Sequence, residues 1–188
     1  MRIGVVSDTH GFFDARLEEL LAGVEVILHA GDVDKQRVLD ELTRIAPVRA
    51  VRGNMDPSQL GLPPRITARL GEVQMQIFHQ LPAAQTELEK WGKHARVEGL
   101  GARRRDAFLR SFEPTTRVVI FGHSHAPCAV VLAGKLFFNP GSAGKQRFSL
   151  PRSCGLLEVS THGVGATIFS LDRYNRKLPE KVWLHVGG

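Results

Sequence analysis

Two histidines stand two positions apart after an apolar run: Arg117-Val118-Val119-Ile120-Phe121 leads into Gly122-His123-Ser124-His125. Alone, a His-x-His pair is weak evidence for a metal site. Its weight comes from Asp8-Thr9-His10, Gly31-Asp32, Gly53-Asn54 and His79, each of which also follows a strand-like run. Carboxylate, imidazole and amide oxygen form a mixed donor set. Such a set suits Mn²⁺, Fe, Zn, Ni or Co better than calcium, which prefers all-oxygen shells. The donors Asp8, His10, Asp32, Asn54, His79, His123 and His125 are too many for one tetrahedral ion but match two ions sharing a bridge. Two metals about 3.5–4 Å apart can clamp a phosphoryl group and generate a hydroxide nucleophile near neutral pH.

The elements that must position these residues are legible from periodicity. Residues 2–7 read as a strand ending at Asp8. Asp14 is placed to cap a helix with Leu17, Leu20 and Leu21 on its apolar face, and Val24 to His29 form a second strand ending at Gly31-Asp32. Asp34 opens a second helix carrying Val38, Leu39 and Leu42, and Val48 to Arg52 form a third strand ending at Gly53-Asn54. This alternation implies parallel strands with right-handed crossovers, in which ligands bind at the carboxyl ends. Asp8, His10, Asp32 and Asn54 all fall on that edge.

Further on, hairpins are expected at Ile66–Leu70/Val73–His79 and Cys128–Leu132/Lys135–Phe138, and strands at Gly155–Ser160 and Gly163–Leu171. The tail from Leu178 to Val186 reads as an edge strand, and 82–116 as helices broken near Gly99-Leu100-Gly101. The second half is therefore expected to be mostly antiparallel, giving two sheets face to face with helices outside.

A chain of 188 residues, 43% hydrophobic and 23% charged, suits one globular domain spanning 1–188. The short apolar run Ile3–Val6 is neither a signal peptide nor a membrane span, so the expected location is cytoplasmic. Cys128 and Cys154 are then expected as reduced, packed thiols. Most of the net charge of +6 lies between Lys90 and Arg110. That stretch carries Lys90, Lys93, Arg96, Arg103, Arg104, Arg105 and Arg110 against Glu98 and Asp106. A solvated helix face explains it better than a nucleic-acid surface, since no interleaved aromatic platform accompanies it. His29 is expected to be buried, and His94, His162 and His185 to lie on the surface. Arg147 and Arg152, after Asn139-Pro140-Gly141-Ser142, are within plausible reach of a phosphate, though surface solvation is the favoured reading.

The order Asp8-x-His10, Gly31-Asp32, Gly53-Asn54, His79, Gly122-His123-x-His125 resembles the calcineurin-like metallophosphoesterases, in particular the short YfcE-type phosphodiesterases. The resemblance covers about residues 1–80 and 117–160, and it extends to the Asn-Pro-Gly-Ser turn. It implies a four-layer α-β-β-α sandwich of two mixed sheets. It implies two divalent ions, Mn²⁺ first among the expectations. Asp8, His10, Asp32 and His125 would hold the first, and Asp32 would bridge to the second, held also by Asn54, His79 and His123. Asn54 would also contact a phosphate oxygen. The implied reaction is in-line attack of metal-bound hydroxide on a small phosphodiester. A nuclease and a non-catalytic scaffold of the same fold are the rivals, and the resemblance adds self-association as an expectation.

Three departures qualify the resemblance. Gln80 stands where a glycine commonly follows the ligand histidine, and 82–116 is longer than in the shortest relatives. Many relatives also have a histidine directly after the motif asparagine, able to protonate the leaving group. Here that place is Met55, which has no transferable proton, and Asp56 is the next candidate acid. Diesters with good leaving groups should therefore react fastest. A comparison of nitrophenyl with alkyl phosphodiesters checks this, and equal rates with chemistry limiting would overturn it.

Overall fold

The computed structural model describes residues 1–82, 85, 102–147, 149–172 and 181–185. The first strand, β1 (Arg2–Val6), pairs in parallel with β2 (Val26–His29), and β2 with β3 (Val48–Ala50). Between them lie α1 (Arg16–Leu20) and α2 (Gln36–Ile45). β2 is buried at every position, as expected for a parallel strand covered on both faces. α2 turns Val38 and Leu42 inward and stops before Pro47, which disfavours helical geometry at Ala46. Antiparallel strands β9 (Ser153–Ser160), β10 (Gly163–Ser170) and β11 (Val182–His185) extend this sheet to the order β11-β10-β9-β1-β2-β3. The expected edge strand in the tail is thus β11.

The second sheet has the order β4-β5-β6-β8-β7. Its strands are β4 (Arg65–Leu70), β5 (Val73–Phe78), β6 (Thr116–Ile120), β7 (Cys128–Leu132) and β8 (Lys135–Asn139). Only the two hairpin pairings are antiparallel; β5–β6 and β6–β8 are parallel. With β9, β10 and β11 also paired antiparallel, the second half is mostly antiparallel as expected, and β6, parallel to both neighbours, is the exception. The long segment after His79 brings the chain back to start β6 at the same end as β5, the crossover a parallel pair needs. Of the helices expected over 82–116, α3 (Ala102–Leu109) is described. The break near 99–101 and residues Lys90, Lys93, His94 and Arg96 lie outside the described residues.

Side-chain alternation sorts the strands' residues into layers. Ile3, Val5 and Leu28 meet Met75, Ile77, Val118, Ile120 and Phe138 between the sheets. Val6 and Ile27 face outward to Leu17, Leu21, Val38 and Leu42 of the first helices. Val119, Phe121 and Phe137 face outward to Phe108 and Phe112, whose rings lie 5.0 Å apart, edge to face. The result is the α-β-β-α sandwich. Cys128 and Cys154 are buried free thiols in the outer layers of different sheets. Burial pushes the Cys154 thiol up to about 12.

The parallel strands at the heart of both sheets send their carboxyl ends to one rim. Phe138 is fully buried between the sheets, with ring atoms against Gly155. Phe138→Ala should cost about 3–5 kcal/mol in urea unfolding, and a loss under about 1 kcal/mol would refute this packing.

Candidate metal centre

Each strand end delivers one or two donors to the rim. β1 runs into Ser7-Asp8, β2 into Gly31-Asp32, β3 into Gly53-Asn54, β5 into His79 and β6 into Gly122-His123. All seven expected donors come together. His10 Nε2 lies 3.3 Å from His125 Nε2, which is 3.3 Å from Asp8 Oδ1. His79 Nε2 lies 2.9 Å from Asn54 Oδ1 and 3.3 Å from His123 Nδ1, with Asn54 Oδ1 3.0 Å from His123 Nδ1. Between the two groups, Asp32 Oδ2 sits 3.9 Å from His10 Nε2 and 3.4 Å from His79 Nε2. Ligand atoms bound to one ion at about 2.0–2.1 Å stand about 3–3.4 Å from each other, so these spacings fit metal coordination. Among the described residues, the buried Asp8 Oδ1 has no hydrogen-bond partner, as a carboxylate oxygen reserved for a cation would.

The surroundings decide which atom of each side chain faces this space. His10 Nδ1 is 3.3 Å from Asp34 Oδ2, and His79 Nδ1 is 2.8 Å from the Ala30 carbonyl. Each Nδ1–H donates there, and Nε2 is left facing the cluster. Ser7 Oγ donates to Asp8 Oδ2 at 2.6 Å and the His123 N–H to the same oxygen at 3.1 Å, which leaves Oδ1 inward. The Met55 N–H donates to Asp32 Oδ1 at 2.9 Å and leaves Oδ2 inward. Gly122 and Gly53 permit these approaches. A Cβ on Gly122 would strike Ser7 Oγ and Asp8 Oδ2, and one on Gly53 would strike the Asp32 carboxylate and N–H.

The backbone is strained here as well. Asp8, His10, Asp32, Asp34, His123 and His125 all have positive φ, from 48° to 71°. Apart from these, Ala133 is the one other described non-glycine residue with positive φ. Such residues cost about 1–3 kcal/mol each and persist where their surroundings over-determine them.

Charge follows the same geometry. Burial resists charge on both His79 and Asp32, but their mutual hydrogen bond and attraction outweigh it, raising His79 and lowering Asp32. Burial and the neighbouring His79 lower His123. His29 is fully buried, and that burial pushes it down to about 4. Its Nδ1 accepts the Gly31 N–H at 3.2 Å, so its Nε2–H donates to Thr9 Oγ1 at 3.1 Å. It buttresses the two loops rather than joining the donors.

Asp56 differs from the sequence-based expectation of a candidate acid. Its Oδ2 accepts the N–H of Gly53 at 2.7 Å and of Asp32 at 3.0 Å, and its Oδ1 that of Asp34 at 2.7 Å. With both oxygens committed to backbone donors, it is a brace that holds the Asp32 and Asn54 loops together. Asp34 reads from the sequence as the residue that opens α2. The cap position is Lys35, with no side-chain bond, and Asp34 orients His10 instead. Nothing in the local sequence marks Ser7, Asp34 or Asp56 for these tasks. Gln80 leaves His79 in place, and the His79 carbonyl accepts the Gly122 N–H at 2.9 Å. His162 and His185 are exposed, as expected.

Asp56→Ala strips three N–H donors of their acceptor. It should weaken Mn²⁺ binding about 10–100-fold in calorimetry and lower the melting temperature. Unchanged metal affinity with a lost acid limb in the pH–rate profile would instead restore the acid role.

The model of the calcineurin-like phosphoesterase superfamily domain matches residues 1–162. A probable metallophosphoesterase of Methanothermobacter thermautotrophicus is 33% identical over 161 residues, which is 80% of this chain and 82% of that protein. Among solved structures, Zn²⁺-complexed Vps29 of Entamoeba histolytica superposes with a TM-score of 0.71 at 22% identity, covering 98% of this chain and 100% of that one. A structure described as a novel archaeal phosphodiesterase gives 0.64 at 19% identity, covering 90% and 100%. At those identities the two structures speak for the fold. The family match spans most of the chain and contains every donor of the rim, so this protein belongs to the calcineurin-like phosphoesterase superfamily.

Proposed function

We propose that the protein is a cytoplasmic, metal-dependent phosphodiesterase working through two divalent cations. The observation that carries this reading is the convergence of seven donor atoms from the carboxyl ends of five strands in both sheets. Asp8 Oδ1, His10 Nε2 and His125 Nε2 would hold the first cation and Asn54 Oδ1, His79 Nε2 and His123 Nδ1 the second. Asp32 Oδ2, between the two groups, would bridge them. When bound, such a pair supplies a hydroxide nucleophile at neutral pH and neutralises charge on the phosphoryl oxygens. Mn²⁺ heads the candidates, with Fe, Zn, Ni and Co also suited to the donor set.

The protein's own groups do the remaining work. With Oδ1 of Asn54 facing His79 and His123, its amide N–H is left to donate to a phosphate oxygen. A groove of about 440 Å³ lined by Arg52, Asn54, Ser58, Pro64, His79 and Gln80 offers room for an ester arm. Met55 is 57% exposed and brings no proton to the leaving group, which fits activated diesters. A small diester is favoured over nucleic acid. Arg103, Arg104 and Arg105 are exposed on α3, a helix that docks by Phe108 on the outer face of the second sheet.

Metal-stripped protein should be inactive on bis-nitrophenyl phosphate and recover with Mn²⁺. Asp32→Asn should lose about 100-fold or more in kcat. His123→Ala and His125→Ala should each retain one bound equivalent, because they serve different cations. Full metal binding with no turnover of any diester or monoester would favour a scaffold, and preferential digestion of single-stranded DNA a nuclease.

A further inference from the structure

We infer that Arg147 is a substrate-binding residue of this centre, whose guanidinium takes the non-bridging oxygens of the phosphodiester at the His10 end. The inference rests on the phosphodiesterase reading and adds a residue to it. Arg147 Nη1 lies 3.4 Å from His10 Nε2, the imidazole nitrogen that faces the donor cluster. The side chain is otherwise exposed, and none of the described ion pairs involves it. A guanidinium offers five N–H donors in a planar fork that matches two phosphate oxygens.

The other arginines near this loop are committed elsewhere. Arg16 and Arg152 both donate to Asp14, at 2.6 Å and 2.5 Å. The Arg16 hydrogen bonds and the nearby Arg152 outweigh burial and hold the Asp14 carboxyl well below the usual carboxylate range. Arg152 also donates to the Gly144 carbonyl at 2.5 Å and the Ala143 carbonyl at 3.2 Å. Gly144 N–H and Ser142 Oγ donate to the Asp8 carbonyl at 3.1 Å and 2.9 Å. The loop that carries Arg147 is thus pinned at its root both to Asp8 and, through Arg152, to Asp14. Arg147 is therefore pre-positioned over the rim, and Arg152 acts through the loop as a positioning residue.

Electrostatics gives the same assignment. A guanidinium beside two divalent cations is repelled until an anion lies between them. A phosphodiester carries that charge on its two non-bridging oxygens. Lys145, on the same loop, turns to the Phe12 ring, 6.0 Å from its centroid, and so has the same charge without the same reach.

That pair makes the test. Inorganic phosphate would be titrated calorimetrically into Mn²⁺-loaded wild type, Arg147→Gln, Arg147→Lys and Lys145→Gln. KM and kcat on bis-nitrophenyl phosphate would be measured alongside. Arg147→Gln should lose about 10–100-fold in phosphate affinity and raise KM comparably, with Arg147→Lys between it and wild type. Lys145→Gln should match wild type, and all four should bind the same number of metal ions. Equal behaviour of Arg147→Gln and Lys145→Gln would reduce Arg147 to general surface charge and overturn the proposal. A wild type that binds phosphate through Arg147 yet turns over no diester would overturn the phosphodiesterase reading alone.

Discussion

Asp8 ties the two sheets together at the rim. Its Oδ2 accepts the hydroxyl of Ser7 from the first sheet and the backbone N–H of His123 from the second. This junction closes only because Gly122 has no Cβ to meet the Ser7 hydroxyl and the carboxylate. The same contacts turn Asp8 Oδ1 toward His125 and the donor cluster. One carboxylate therefore sets sheet-to-sheet registry at the rim and supplies a donor, so the architecture and the candidate centre depend on one set of bonds.

Around that junction the molecule concentrates strain and the means to hold it. Six donors or their neighbours occupy the left-handed region, and backbone hydrogen bonds hold several of them in place. Asp8 N–H donates to the Gly31 carbonyl, His10 N–H to that of Asp32, and Gly144 N–H to that of Asp8. Asp56 and His29 act from beneath: the first gathers three N–H groups, the second links the Thr9 and Gly31 loops. The helices and apolar layers supply the rigidity against which these loops are held. A centre whose donors must stand within a few tenths of an ångström of their places requires such support.

Much of this was legible in the chain. Apolar runs of strand length ending in Asp, Asn or His identified the rim, because a strand's side-chain period and its carboxyl end are local properties. The β-α-β-α-β start was equally plain. The second sheet was harder. The hairpins read at Ile66–His79 and Cys128–Phe138 signal antiparallel pairs, but the placement of β6 between β5 and β8 depends on a crossover that leaves no local mark. Asp34 and Asp56 illustrate a related limit. A short acidic side chain before a helix or after an asparagine looks like a cap or an acid until its partners are known.

The sequence by itself determined the donor types, their order along the chain and the strand ends that carry them, since these follow from composition and periodicity. Only the tertiary structure decided which atom of each donor faces inward, which carboxylates brace rather than donate, and that Arg147 rather than Arg152 reaches the rim. Those outcomes hang on contacts between residues distant in sequence, such as His123 N–H to Asp8, 115 positions apart, and Arg152 to Asp14, 138 apart. A hydrogen bond is settled by distance and direction in space, and sequence separation carries neither.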